Sequence, residues 1–251
     1  MSAAKVGAAS SPLRLLTINI HKGYTAFNRR FVLHELREAV RAVRCDLVFL
    51  QEVKGVAGSV GAQYEFLADQ IWPDHAYGRN AVSAGQDHGN AVLSRLPIVR
   101  NHNHDLSLPG AEPRGLLHCV LVLPAGPFEL HVMCVHLGLS EAHRRHQLVR
   151  LCETVHREVP AGAPLVVAGD FNDWRSRADA LLGPSGLQEV FCHTFGGHAR
   201  TYPAGFPLLR LDRIYVRGIA AYRPLPLPRR PWSQLSDHAP LAAEIELPES
   251  P

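Results

Sequence analysis

The feature that most limits how this chain can fold is a repeated junction. Short apolar, β-branched runs each stop at a hydrogen-bonding or charged residue. Leu-Leu-Thr-Ile runs into Asn19, and Leu-Val-Phe-Leu-Gln into Glu52. His-Val-Met-Cys-Val runs into His136, and Leu-Val-Val-Ala-Gly into Asp170, with Asn172 two residues on. Runs of this kind suit buried strands. Strand ends are rigid, so several of them converging would fix polar groups to the tolerance that catalysis needs.

Strand-like runs cover residues 13–20, 46–50, 90–93, 116–123, 128–135, 165–168, 213–216 and 241–245. Helical spacing covers 30–43, where Phe31, Val32, Leu36, Ala39, Val40 and Val43 share one side with charges opposite. It returns at 141–159 through Leu148, Leu151, Cys152 and Val155. Several strands follow one another with few helices between them. The pattern predicts an α/β fold of two sheets packed under outer helices, in preference to one doubly wound parallel sheet. Residues 1–12, small and polar, read as a disordered leader, and 13–251 as a single domain. The proline-rich stretch 224–231 reads as an irregular surface loop.

A length of 251 residues, 46% hydrophobic and 20% charged, is enough for a full core. The net charge of +3 leans toward anionic substrates, but it is far from that of a protein that coats nucleic acid. Cys45, Cys119, Cys134, Cys152 and Cys192 show no CxxC spacing and read as reduced, which suits a cytoplasmic protein. No run approaches the roughly 20 apolar residues of a membrane helix. Neither a signal-peptide pattern nor an acylation motif is present, so membrane contact, if any, is expected to be peripheral.

The carboxylates of Glu52, Asp170 and Asp237, with the amides of Asn19 and Asn172, form an all-oxygen donor set. Such donors suit Mg²⁺, Mn²⁺ or Ca²⁺ and disfavour zinc. His136 and His238 stand out among the histidines because each abuts an apolar strand. In Ser-Asp-His-Ala-Pro-Leu, neighbouring side chains of an extended stretch point opposite ways, so Asp237 is not expected to pair with His238. Asp212, in Leu-Leu-Arg-Leu-Asp-Arg-Ile, is the candidate partner. That pair would make the imidazole more basic, fit to activate water or hold a phosphoryl oxygen. Arg114 is a candidate substrate-binding fork donor, weighed against a plain surface arginine. His88 reads as a loop histidine, Tyr77, Arg79 and Asn80 as candidate entrance residues, and Trp174 as the tryptophan best placed to face substrate.

The segments TINIHKG, FLQEV, GNAVLSRLPI, HVMCVHLG, VAGDFNDW, LLRLDRIYV and LSDHAPL occur in this order. Together they resemble the endonuclease/exonuclease/phosphatase superfamily. That group includes deoxyribonuclease I, abasic-site endonucleases, neutral sphingomyelinases and inositol polyphosphate 5-phosphatases. The TINIHKG opening is similar to that of small uncharacterised bacterial members, and a weaker likeness runs to the branch that remodels glycosylphosphatidylinositol lipid anchors.

The resemblance implies a four-layer α-β-β-α sandwich with the site at one end of the paired sheets. It also implies Mg²⁺-dependent hydrolysis of a phosphoric ester. Glu52 would be the principal metal ligand, with Asn19 beside it and Asp237 completing the site. His136 would bind the scissile phosphate, and Asp170 and Asn172 would orient the attacking water. Asp212 would hold His238 in its working tautomer. Either Asp170 or the Asp212–His238 pair would take the water's proton. A small-molecule or lipid-headgroup phosphoester is the expected substrate. A DNA or abasic-site nuclease ranks second, because basic residues are scattered. A catalytically dead binding module ranks last, because the matched positions keep the expected residue types. The motifs fix neither the leaving group nor the oligomeric state.

Overall fold

The computed structural model describes residues 11–26, 30–55, 61–83, 86–123 and 128–248. The anticipated leader therefore lies, apart from residues 11 and 12, outside the described residues. The first sheet is built from β1 (Leu13–Asn19), β2 (Leu47–Lys54), β3 (Asp74–Ser83) and β4 (Gln86–Ser94). The second takes β5 (Ile98–Asp105), β6 (Gly115–Val122), β7 (Glu129–His136), β8 (Leu165–Asp170), β9 (Gln188–Glu189) and β10 (Asp212–Arg217). Finally, β11 (Ala221–Leu225) and β12 (Leu241–Glu246) return to the first sheet. The strand orders are β11-β12-β1-β2-β4-β3 and β5-β6-β7-β8-β10-β9. Each sheet has one central parallel pair, β1 with β2 and β7 with β8, flanked by antiparallel neighbours.

Period-two alternation explains why both faces of these strands are apolar. Leu15, Leu47 and Phe49 point between the sheets and meet Val132, Val166 and Ile214 there. Leu16, Ile18, Val48 and Leu50 point the other way, beneath α1 (Leu33–Val43) and α2 (Gln63–Ala68). On the far side, Met133, Val135 and Val167 meet Leu148, Leu151 and Val155 of α3 (Glu141–Glu158) and Leu182 of α4 (Ala178–Leu182). Three apolar layers thus bind four structural ones, the α-β-β-α sandwich that the sequence predicts. A short α5 (Val190–Phe195) leads out of β9. Among the described residues, no helix is long and apolar enough to cross a membrane.

Several boundaries differ from expectation. The first helix starts at Leu33, because Phe31 is held in an isolated bridge to Tyr24. The strand expected to end at residue 50 continues to Lys54 through a bulge between Leu50 and Val53. Strands β3, β5, β9 and β11 were not anticipated. The proline-rich stretch is not wholly loop: Pro224 and Leu225 belong to β11, an edge strand, where a missing N–H is tolerated.

One glycine ties the sheet to its polar end. Gly169, paired with Val135, has φ +148°, and a Cβ there would lie 2.0 Å from the Val135 carbonyl oxygen. Gly169→Ala is expected to destabilise the protein by about 3 kcal/mol or more through this clash and the forced backbone. Urea unfolding would report it as a lower midpoint; an unchanged midpoint would contradict the close approach.

Candidate active site

The carboxyl ends of the two central parallel pairs lie at the same end of the sandwich. Asn19 closes β1, and Glu52 lies on the bulge of β2. His136 closes β7 opposite Asp170, which closes β8, and Asp212 opens β10 as Asp170's partner on the other side. Asp170 is therefore the centre of the site. Its Oδ2 accepts from Asn19 Nδ2 at 3.2 Å and lies 3.5 Å from His136 Nε2 and 3.8 Å from His238 Nε2. Its Oδ1 accepts the Asn172 backbone N–H at 2.9 Å. The Asn172 side chain donates to the Leu137 carbonyl at 2.9 Å, which locks the Gly-Asp-Phe-Asn turn. His238 Nδ1 lies 2.9 Å from Asp212 Oδ2, so its Nε2 faces the site. Tyr202 packs its ring 5.1 Å from that imidazole.

Backbone strain concentrates here. Among the described residues, seven non-glycine residues have positive φ, and four of them, His21, Lys22, Glu52 and Asn172, belong to this site or its rim. Left-handed backbone at non-glycine residues persists only where surrounding contacts over-determine it. The bulge turns Glu52 back toward Asn19, whose Nδ2 donates to Glu52 Oε1 at 3.3 Å.

Electrostatics separates the roles of the titratable groups. Burial pushes the Asp170 carboxyl up to about 7; His238, the Asn172 amide and Asn19 oppose the rise, and Asp212 adds to it. Burial disfavours a charged His238, but Asp212 and Asp170 outweigh it and lift the imidazole to about 10. Burial holds His136 well below its ordinary 6.5, reinforced by the positive charges of Arg114, His238, His88 and Lys22. Two neighbouring imidazoles thus differ in charge at neutral pH because only one has a carboxylate behind it.

Asp237 is less engaged than the others. Its Oδ1 lies 3.2 Å from Ser236 Oγ, the same hydroxyl that donates to the Asn19 carbonyl at 2.6 Å. Asn19 turns its amide nitrogen to both carboxylates while its oxygen accepts the His21 N–H at 3.0 Å. For that oxygen to serve as a ligand, the amide must turn over and release His21. Arg114 is buried, which excludes the surface reading; its Nη2 pairs with Glu112 Oε2 at 2.8 Å, and Glu112 also faces His88 Nε2 at 3.2 Å. Arg79 pairs with Asp87 at 2.6 Å, and Asn80 accepts from Asn103 at 3.3 Å. Tyr77 stacks on Tyr64, and Trp174, half exposed, lies under Arg175.

Residue-type patterns gave no signal for Ser236 as a tie between Asn19 and the Asp237–His238 turn. The same holds for Thr201, whose hydroxyl accepts the Asp212 N–H at 3.3 Å. Lys22, in the TINIHKG segment, brings its ammonium within 3.9 Å of Glu52.

The donors fit a hard divalent cation. Glu52 is a carboxylate with a side chain 22% exposed and no cation nearer than Lys22 among the described residues, so its charge lacks a short partner. The buried Asp170 carboxylate lies on the other side of the Asn19 amide, 3.2 Å from its nitrogen, so two carboxylates face the same side chain.

A two-sheet sandwich with carboxylates and imidazoles gathered at one end defines a class, and the sequence agrees. The model of the Endonuclease/Exonuclease/phosphatase family matches residues 16–238, and the chain belongs to that family. Its members are typically phosphoester hydrolases that use divalent metals. Among individual proteins, the chain is 57% identical over 245 residues to the uncharacterized protein YbhP of Escherichia coli, covering 93% of this chain and 96% of that one. The solved endonuclease/exonuclease/phosphatase structure from Beutenbergia cavernae superposes with TM-score 0.76 at 22% identity, over 96% of this chain and 72% of its own. D. rerio TDP2, solved with a single-strand DNA product, superposes with TM-score 0.71 at 17% identity, over 94% and 99%.

Proposed function

We propose that the chain hydrolyses a phosphoester of a small molecule or lipid headgroup, using a divalent ion, with Mg²⁺ the first choice. The observation that carries this reading is the placement of Asp170 between Asn19, His136 and His238, with Glu52 on the far side of Asn19. Glu52 would hold the ion, joined by Asn19 once its amide turns over, with Asp237 at the margin. When bound, the ion polarises the phosphoryl oxygen and offsets charge on the leaving oxygen. Asp170, raised to about 7, takes the water's proton. Asn172 fixes the Asp170 carboxylate through its backbone N–H. His238, charged and backed by Asp212, donates to a phosphoryl oxygen as negative charge builds there. His136 binds the same phosphate as a neutral donor, with Arg114 a further cation behind it.

Exposed apolar side chains support the preference for a substrate with an organic or acyl portion. Leu139 (75% exposed), Trp174 (48%) and Phe206 (69%) sit on the loops that follow His136, follow Asp170 and precede Asp212. A duplex-tracking surface needs cations free to meet phosphates, whereas Arg175 and Arg177, beside Trp174, are both paired to Glu141. The nuclease reading keeps second place because D. rerio TDP2, bound to a single-strand DNA product, shares the fold.

A substrate screen tests the reading. Phosphomonoesters, phosphodiesters, phospholipids and nicked or abasic DNA would be assayed with Mg²⁺, Mn²⁺ or Ca²⁺ and with excess EDTA. Turnover of at least one phosphoester, abolished by EDTA and restored by Mg²⁺, is expected. Turnover that survives EDTA would refute the metal assignment, and turnover of DNA alone would reverse the order of substrates.

A further inference from the structure

A second group of ligand-type side chains lies on the outer face of the second sheet, where α3 ends. His104 on β5, His118 on β6 and Glu158 at the end of α3 bring one ligand atom each within 4.8 Å of one another. His104 Nε2 is 3.0 Å and His118 Nδ1 is 3.4 Å from the same oxygen, Glu158 Oε2. His131, on β7, belongs to the same cluster. It lies five residues before His136 on that strand, about 17 Å away at an extended rise, so the cluster is separate from the phosphoester site.

We propose that His104, His118 and Glu158 form a binding site for Zn²⁺ or a similar first-row transition-metal ion, with a fourth position open to solvent. Two nitrogens and one oxygen with an open position suit zinc and do not suit Mg²⁺ or Ca²⁺. Ligands of a tetrahedral zinc stand about 3.3 Å apart, given bonds of about 2.0–2.1 Å. The observed spacings of 3.0 and 3.4 Å bracket that value.

The surroundings of the three groups favour a cation over a plain ion pair. His104 Nε2 makes no hydrogen bond despite its short approach to Glu158, so the two atoms are not aligned on each other. Glu158 gives its other oxygen, Oε1, to Arg157 at 3.2 and 2.8 Å, which leaves Oε2 toward the histidines. His118 Nε2 lies 2.9 Å from His131 Nδ1, and His131 Nε2 lies 3.7 Å from Glu129. With the Nδ1 lone pair of His118 on the metal, its Nε2 proton goes to His131, whose own Nε2–H faces a carboxylate. That is the support that metal-binding histidines ordinarily receive. The cleft beside them, lined also by Arg100, Asn101 and the exposed His102, gives an ion access from solvent.

The test uses the full chain in excess Mg²⁺, which occupies the oxygen-rich site. Equilibrium dialysis with Zn²⁺ and visible spectra with Co²⁺ would be run on the unmodified protein, on His104→Ala and Glu158→Gln, and on Asp212→Ala as the control for the phosphoester site. His104 lies on the edge strand β5 and Glu158 at the last position of α3, and metal-free melting curves would verify that each variant is folded. One zinc per chain and intense tetrahedral cobalt bands are expected. Each variant should weaken zinc by about 100-fold and lose the bands, while phosphoester turnover stays unchanged. No zinc retained in excess Mg²⁺, bands of octahedral type, or bands undiminished in both folded variants would each overturn the proposal. Bands lost only in Asp212→Ala would do the same, since they would place the ion at the phosphoester site.

Discussion

Glu52→Ala is expected to lower kcat/KM for phosphoester hydrolysis by about 10³–10⁴-fold while leaving the melting temperature nearly unchanged. The rate term follows from the ion's share of transition-state stabilisation. Several kcal/mol is the usual contribution, and each 1.36 kcal/mol is about tenfold. The stability term follows from the side chain's surroundings. Glu52 is partly exposed, its hydrogen bond to Asn19 is long, and Lys22 is 3.9 Å away, so its removal breaks little that holds the sheets. Excess Mg²⁺ should recover only part of the loss, because Asn19 and Asp237 alone cannot rebuild the donor set. Steady-state kinetics across a Mg²⁺ titration, alongside thermal melts, would check both halves. Activity within tenfold of the unmodified protein would remove Glu52 from the metal site.

His238→Ala is expected to reduce kcat by about 10³-fold, the range seen when one preorganised donor to a developing oxyanion is removed. Here the donor is unusually well prepared. Asp212 fixes its orientation at 2.9 Å, and two carboxylates keep it charged in a buried setting. Asp212→Ala should lower kcat by a similar factor, since it leaves an imidazole that has lost its orienting partner and the larger of the two charges that favour its protonated form. The double variant should fall little further, because the two side chains act as one unit. Independent, multiplicative losses would show that His238 does not work through Asp212. A variant that no longer melts cooperatively would be replaced by His238→Gln, which keeps a donor but not the charge.

What the sequence disclosed, and what it concealed, follows from burial. Strands covered on both faces announce themselves as near-continuous apolar runs, so β1, β7 and β8 were legible almost to the residue. Strand β5, Ile-Val-Arg-Asn-His-Asn-His-Asp, was not, because as an edge strand it is mostly solvated and carries a polar outer face. Strand β3 escaped for the same reason, and β11 because proline disguises an edge strand. At the site, the ends of buried strands pointed to Asn19, Glu52, His136 and Asp170, and the structure brings these four together with Asn172, Asp212 and His238. The bulge that turns Glu52 is a matter of pairing between distant strands, and no local pattern encodes it. Nor does residue type reveal which atom of Asn19 faces the carboxylates; the His21 N–H decides that.

The two central parallel pairs supply the donors in equal parts: Asn19 and Glu52 from one leaf, His136 and Asp170 from the other. Side-chain bridges stitch the leaves at this end: Asn19 reaches Asp170 at 3.2 Å, His238 lies 2.9 Å from Asp212, Gln51 reaches Cys134 at 3.3 Å, and Asn90 reaches the Gly115 and Cys134 carbonyls at 2.9 and 3.2 Å. A sideways slip of about 1 Å between leaves, enough to cost roughly 100-fold in rate, would leave every ladder of hydrogen bonds intact. Activity at a site built this way is therefore expected to gauge how well two halves stay in register.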